Sequence, residues 1–271
     1  MNKTNKQVGF IGCGKMASAI IKGVLDSGFL SSQQIAASEV NEEFAKKQEE
    51  KLGIKIFTDN KIVAQKSDVI FLATKPNYIK NVLEEIKPEL TKDKLVVSIA
   101  AGISTKTIEN TTGEEIAVIR VMPNGPAMIL EGMSGLTKGK YANNEHLEFV
   151  QNLLSNIGKC IVIDESKMDV LTAISGSGPA FFYQIIHEMA LAGENLGLEY
   201  DKSLLLAAQT AIGSAKLMIE SDLTPIQLVQ NIATKGGCTE VGVDFMKESN
   251  TKELFYELIK RTADKAHELG C

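Results

Sequence analysis

The sequence predicts an α/β N-terminal domain with a doubly wound, mostly parallel sheet, followed by an all-α C-terminal domain. Three observations carry this prediction. A short apolar strand at the start of the chain runs through a glycine turn straight into an amphipathic helix. The first half then alternates short apolar runs with helical patterns, and beyond about residue 163 every periodic segment is helical.

The opening strand is Gln7-Val8-Gly9-Phe10-Ile11, the turn is Gly12-Cys13-Gly14-Lys15-Met16-Ala17, and the helix continues through Ile20, Ile21, Val24 and Leu25. This is the shape of G-x-G-x-x-G/A. Gly12 allows the tight turn, Gly14 admits a pyrophosphate to the backbone, and Ala17 keeps helix and strand close. Further strands follow at Ile35–Ser38, Ile54–Phe57, Val69–Leu72, Leu95–Ser98 and Glu115–Val121, with helices at Glu42–Leu52, Lys61–Lys66 and Tyr78–Lys87. In a doubly wound sheet a ligand crevice lies at the carboxyl ends of the strands. Four turns fall there: Gly12–Met16, Ala73–Pro76, Ala100–Gly102 and Met122–Pro126. They are either plain connections or one ligand-binding rim.

The second half reads as helices at Met168–Ile174, Pro179–Leu196, Ser203–Ile219 and Leu254–Leu269, with start signals at Asp201 or Ser203 and at Thr224-Pro225. The change of periodicity sets domains at 1–164 and 165–271. The helix from Pro179 carries Phe181, Phe182, Ile185, Ile186 and Met189, and the next carries Leu204, Leu205, Leu206, Ile212 and Leu217. So few helices cannot bury that much apolar surface among themselves, which points to a helical homodimer.

Composition narrows the function. With 271 residues at 44% hydrophobic and a net charge of -5, the chain has core enough for two domains and no basic footprint for nucleic acid or an anionic membrane. No apolar run approaches about 18 residues, and Met1-Asn2-Lys3 leads toward the first strand without a signal segment, so a cytoplasmic protein with no membrane contact is expected. Cys13, Cys160, Cys238 and Cys271 have neither metal-ligand nor disulfide spacing, and no metal is implied.

Two glycine-rich stretches stand out in the helical half. Ser175-Gly176-Ser177-Gly178-Pro179 serves either close helix packing or a ligand. Lys235-Gly236-Gly237-Cys238-Thr239 precedes a helix, whose first amides can seat a small carboxylate while Thr239 adds a hydroxyl.

Together with FLATKP at Phe71–Pro76, SIAAG at Ser98–Gly102, RVMPN at Arg120–Asn124, TAISGSGPA at Thr172–Ala180 and KGGCTEVG at Lys235–Gly242, the glycine turn makes the chain resemble the pyrroline-5-carboxylate reductases over nearly its whole length. The resemblance implies a Rossmann-like dinucleotide-binding domain and an all-helical substrate-binding and dimerisation domain. It implies reduction of 1-pyrroline-5-carboxylate to L-proline by NADPH or NADH, and a homodimer assembled further into a decamer of five dimers.

Carried over by motif, Gly12, Gly14, Lys15 and Met16 match the phosphate turn, while Ser38 and Asn60 match cofactor contacts. Ala73, Thr74, Lys75 and Pro76 match the loop over the cofactor, and Ala100 and Ala101 the small residues beside the nicotinamide. Glu165, Asn231 and Thr239 match positions near the imine and cofactor, with Glu165 and Thr239 the catalytic candidates. Gly236, Gly237 and Cys238 match backbone that receives the carboxylate. Amides of Gly237, Cys238 and Thr239 would hold that carboxylate, and the Thr239 hydroxyl would accept a hydrogen bond from the iminium nitrogen.

The chain departs from the family pattern at Gly125 and Cys238, and at Glu39, which follows Ser38 at the end of the second strand. An acidic residue there hydrogen-bonds a ribose 2'-hydroxyl and repels a 2'-phosphate, against the family's lean to NADPH, so the cofactor choice stays open. Two other readings remain: a non-catalytic dinucleotide-binding relative with a regulatory role, and a reductase of a related cyclic imine. A hydroxyacid dehydrogenase would carry a lysine on the helix after its glycine-rich stretch. This one carries Tyr183, Gln184 and His187, and the histidine reads as structural.

Overall fold

The computed structural model describes residues 4–113 and 115–270. Met1 to Lys3, Glu114 and the fourth cysteine, Cys271, lie outside the described residues. The chain runs β1 (Val8–Ile11), α1 (Lys15–Asp26), β2 (Ile35–Ser38), α2 (Glu42–Leu52), β3 (Lys55–Phe57), α3 (Asn60–Lys66), β4 (Val69–Leu72), α4 (Ile79–Ile86), β5 (Leu95–Ser98), α5 (Thr105–Thr112) and β6 (Ala117–Met122). Then come β7 (Gly132–Lys138), α6 (Asn144–Leu154), β8 (Gly158–Val162) and α7 (Met168–Leu171).

The strands form one eight-stranded sheet in the order β3-β2-β1-β4-β5-β6-β7-β8. Neighbours are parallel except β6 and β7, which pair antiparallel. β1, β4 and β5 are buried at every position, as continuous apolar runs under helices on both faces require. Phe10 and Phe71 are register partners on β1 and β4, and their rings stack with centroids 4.6 Å apart. That contact adds about 0.5–1.5 kcal/mol to what burial alone gives.

The strand order reverses between β1 and β4, and this switch point is where ligands bind in such sheets. Register places Ser38, Ile11, Leu72, Ser98 and Arg120 in one row across the strand ends. The next residues extend the row, with Ala73 N donating to Ile11 O at 2.8 Å and Ile99 N to Leu72 O at 3.2 Å. Local chemistry fixes the helices between. Asn41 and Ser104 cap α2 and α5 through Phe44 N and Thr107 N, and Gly53 and Gly113 end them in the left-handed conformation.

Four elements have no counterpart in the sequence reading: α5, β7, α6 and β8. β7 reads GMSGLTK, a poor strand by propensity, and its glycines are there for close approach. A side chain at Gly135 would run into Leu171, and one at Gly158 into the Gly132 backbone. The helix expected over Met168–Ile174 is α7 followed by a π-helical turn, Thr172–Gly176.

Two compact units divide the chain. One runs to Ser177 and takes in the residues from Thr262 on, and the other is Gly178–Arg261. The second unit contains α8 (Gly178–Asn195), α9 (Tyr200–Glu220), α10 (Pro225–Ile232), α11 (Cys238–Glu248) and the first part of α12 (Thr251–Gly270). α8 and α9 pack where Gly193 makes room for the Ser203 hydroxyl. Their buried residues are small, Gly178 and Ala190 on α8 with Ser203 and Ala207 on α9. The large apolar side chains stay outside: Phe182, Leu206, Ile226 and Phe245 are each more than half exposed. No helix among the described residues is long and apolar enough to cross a membrane.

Phe71→Ala is expected to lower unfolding stability by about 3–5 kcal/mol, because it leaves a cavity at the centre of the sheet beneath Phe10. Urea titration of the variant should show the midpoint falling with little change in slope.

Candidate active site

The glycine turn lies at the switch point. Gly12 has φ +93°, and a Cβ there would sit 2.9 Å from the Ala73 carbonyl oxygen, so residue 12 must be glycine for β1 and β4 to close. Gly14 has open space where its side chain would be. It is also the N-cap of α1 and makes no side-chain capping bond, so the first amides of α1 face outward uncapped. Beside the turn, the Thr74 Oγ1 atom is buried without a hydrogen-bond partner. Uncapped donors, room at Gly14 and an orphaned hydroxyl suit the phosphates of a dinucleotide.

The other predicted cofactor residues of this unit lie at or just after the carboxyl ends of the strands, while Asn231 lies on α10 in the second unit. Lys15 and Gly14 are exposed, while Met16 is partly buried against the core. Ala73 and Thr74 are half-buried, Lys75 and Pro76 exposed, Ala100 buried and Ala101 exposed. At the end of β2, buried Ser38 donates its hydroxyl to Asn60 Oδ1 at 2.6 Å, and Asn60 Nδ2 donates to Glu85 Oε2 at 2.8 Å. Glu39 is half-buried, and its Oε1 accepts from Asn41 N at 3.3 Å. A cleft of about 850 Å3 between Thr105–Gly113 and Gly139–Tyr141 contains none of these residues.

Glu165 is not a free carboxylate. Its Oε1 accepts from Thr105 N at 2.8 Å and lies 3.3 Å from the Arg120 guanidinium, and its Oε2 accepts from the Thr105 hydroxyl at 2.6 Å. Arg120 is 6% exposed, so the pair neutralises a buried cation. Both oxygens of Glu165, a catalytic candidate in the sequence, are thus held by Thr105 and Arg120. The residue ties the start of α5, and with it the loop from Ala100, to β6. Asn124, not a candidate in the sequence, makes a similar tie: its Oδ1 accepts from Met133 N at 2.9 Å and its Nδ2 donates to Ser175 O at 3.1 Å. The RVMPN motif itself was the signal for it.

In the second unit, α11 begins at Cys238 with Gly237 as N-cap and no side-chain cap. Gly236 takes φ +77° and donates its amide to Glu240 Oε2 at 2.7 Å. The amide of Gly237 donates to Thr234 O at 2.9 Å, so Gly237 leaves the predicted donor set. Cys238 and Thr239, the first helical residues, have amides with no acceptor inside the helix. Thr239 is half-buried, while Cys238 and Asn231 are exposed. His187 Nδ1 lies 3.0 Å from the Tyr200 hydroxyl, a contact that joins α8 to α9.

Such a sheet, with a bare glycine turn at its switch point and a helical unit following it in the chain, defines a Rossmann-type dinucleotide-binding protein. Residues 7–102 match the family model described as NADP oxidoreductase, coenzyme F420-dependent, and residues 165–269 match the one described as pyrroline-5-carboxylate reductase dimerisation. A pyrroline-5-carboxylate reductase of Methanosarcina acetivorans is 38% identical over 98% of both chains. The chain belongs to the pyrroline-5-carboxylate reductase family. The solved pyrroline-5-carboxylate reductase of Coxiella burnetii superposes with a TM-score of 0.94 at 31% identity, covering 99% of this chain and 100% of the other. The Plasmodium falciparum pyrroline carboxylate reductase with NADP bound gives a TM-score of 0.88 at 29% identity over 100% of both chains.

Burial pushes the Cys13 thiol up to about 11 from an ordinary value of 9.0, so it stays protonated until the pH approaches that value. At pH 8 its thiolate fraction is on the order of one in a thousand. Peptide mapping after brief iodoacetamide treatment at pH 8 should find exposed Cys238 alkylated and Cys13 intact.

Proposed function

We propose that the protein reduces 1-pyrroline-5-carboxylate to L-proline with NADPH or NADH. The observation that carries this reading is the start of α11, where Cys238 and Thr239 offer uncapped amides in a chain of this family. NAD(P)H, when held at Gly12, Gly14 and the start of α1, supplies the hydride. A protonated cyclic imine is already an electrophile, so the protein's task is to hold it, orient it and exclude water. The amides of Cys238 and Thr239 hold the substrate carboxylate. The Thr239 hydroxyl accepts a hydrogen bond from the iminium nitrogen, which orients the ring. As the carbon gains its hydride the nitrogen loses its formal charge, and Thr239 and solvent then return a proton to the product amine. Glu165 serves as a positioning residue for the Ala100-Ala101 loop through Thr105.

The oligomer belongs to the same proposal. Apolar side chains left outside on α8 to α11 suit a homodimer formed through the helical half, and dimers of this kind build toward the decamer that the family resemblance implies. A cytoplasmic location fits a reaction between small soluble metabolites.

Two experiments test the proposal. Purified protein should oxidise NADH or NADPH only when the imine is present, and Thr239→Ala should lower kcat/KM by about 10- to 100-fold with the thermal midpoint unchanged. Turnover that ignores the imine, or a Thr239→Ala variant with wild-type kinetics, would refute the assignment. For the assembly, Leu206→Asp combined with Ile226→Asp should convert the dimer to monomer by light scattering, because two desolvated carboxylates cost several kcal/mol each.

A further inference from the structure

The end of α12 belongs to the first compact unit, although it follows the second unit in the chain. Its last turn lies against the loop between β5 and α5 that contains Ala100, Ala101 and Gly102, and the contact is backbone on backbone. A Cβ on Gly270 would meet the Gly102 carbonyl oxygen at 2.7 Å. One on Gly102 would meet the Leu269 carbonyl oxygen at 3.1 Å and the Gly270 Cα at 3.2 Å. Gly102 has a further reason to be glycine in its φ of +78°. Gly270 has no positive φ and lies within the helix, where glycine is among the poorest formers. Close approach to Gly102 is what accounts for it.

The loop is held on either side of this contact. Ala100 is buried, and its amide donates to the Ser98 hydroxyl at 3.3 Å. Thr105 is bound twice by Glu165. Between them Ala101 is exposed and Gly102 meets α12. The turn of α12 is itself tied to α7, with His267 Nδ1 3.1 Å from Asp169 Oδ2. We propose that the last turn of α12 is a positioning element for the nicotinamide, with Gly270 as its contact residue. By backing Gly102 it sets where Ala101 meets the ring. The inference rests on the reading of Ala100 and Ala101 as nicotinamide contacts, and deepens it by adding a segment far along the chain that carries no motif. The hydride leaves from a carbon of that ring, where a displacement of about 1 Å costs on the order of 100-fold in rate.

Gly270→Ala tests the contact, because it adds one methyl group while raising the helix propensity of α12. Isothermal titration calorimetry on the whole protein would compare NADH and NADPH with ADP-ribose and its 2'-phosphate, which lack the nicotinamide. The variant is expected to bind the reduced dinucleotide about tenfold more weakly, to bind the matching fragment as wild type does, and to lose about tenfold in kcat. His267→Ala, which releases the same turn from Asp169, should move these quantities the same way. Ala101→Val alters the ring contact directly and should weaken the dinucleotide but not the fragment. Wild-type behaviour of Gly270→Ala beside an impaired Ala101→Val would overturn the role of α12 alone. Equal losses for dinucleotide and fragment in Gly270→Ala would overturn it too, as general damage to the unit. An Ala101→Val variant with wild-type binding and turnover would instead bring down the nicotinamide placement, and the inference with it.

Discussion

Gly12 is a residue at which this chain cannot carry a side chain, and the ligand end of the sheet depends on it. β1 and β4 are register partners through Ile11 and Leu72, and the Ala73 amide continues their ladder onto Ile11 O. The turn must therefore leave β1 beside the Ala73 carbonyl, with φ +93° and no room for a Cβ. Because glycine meets both demands, α1 can start directly above the strand ends. Because the cap position is Gly14, the amides of the first turn keep their donors for a ligand. The helix is fixed by burial of Ala17, Ile20, Ile21 and Val24, so the donors point where the core dictates.

The second rim of the same crevice is organised by charge. Arg120 ends the register row on β6 and is buried, a placement that requires a partner with its own hydrogen bonds satisfied. Glu165 is that partner, and its remaining capacity goes to the amide and hydroxyl of Thr105 at the start of α5. One carboxylate thereby joins a strand, a helix start and the segment entering α7. Asn124 joins β7 and the π-helical turn in the same way. Arg120 is paired with Glu165 and Asn124 is bonded on both sides, and these contacts hold loops in place.

Most of the sheet was legible in the sequence because β1, β4 and β5 are buried on both faces and therefore read as continuous apolar runs. β7 was not, since its glycines answer to Leu171 and Ala127, contacts that exist only once the tertiary structure has formed. Gly12 and Gly14 were legible as a turn because spacing alone implies their conformation. The roles of Glu165 and Gly237 were less so: residue type says that a carboxylate accepts and an amide donates, but not what has already taken the bond. Thr105 and Thr234 are the local partners that decide those two cases, and neither carries a motif of its own.

The polar bookkeeping of the molecule is itself an argument about where ligands come. Among the described residues, the buried side-chain oxygens left without a partner are those of Thr74 and Ser203. Ser203 has a packing explanation, because its hydroxyl fills the space that Gly193 leaves between α8 and α9. Thr74 has none inside the protein. It lies beside Gly12, next to a helix start without a side-chain cap, and a fold that gives Arg120, Asn60 and Asn124 partners has no internal reason to orphan a hydroxyl there. An unpaired buried hydroxyl costs about 1–3 kcal/mol, and a bound phosphate or ribose oxygen would recover it. The unmet donors at the start of α1 and at Thr74 are thus the ones that the proposed dinucleotide would take up, and those at the start of α11 the ones that the proposed carboxylate would.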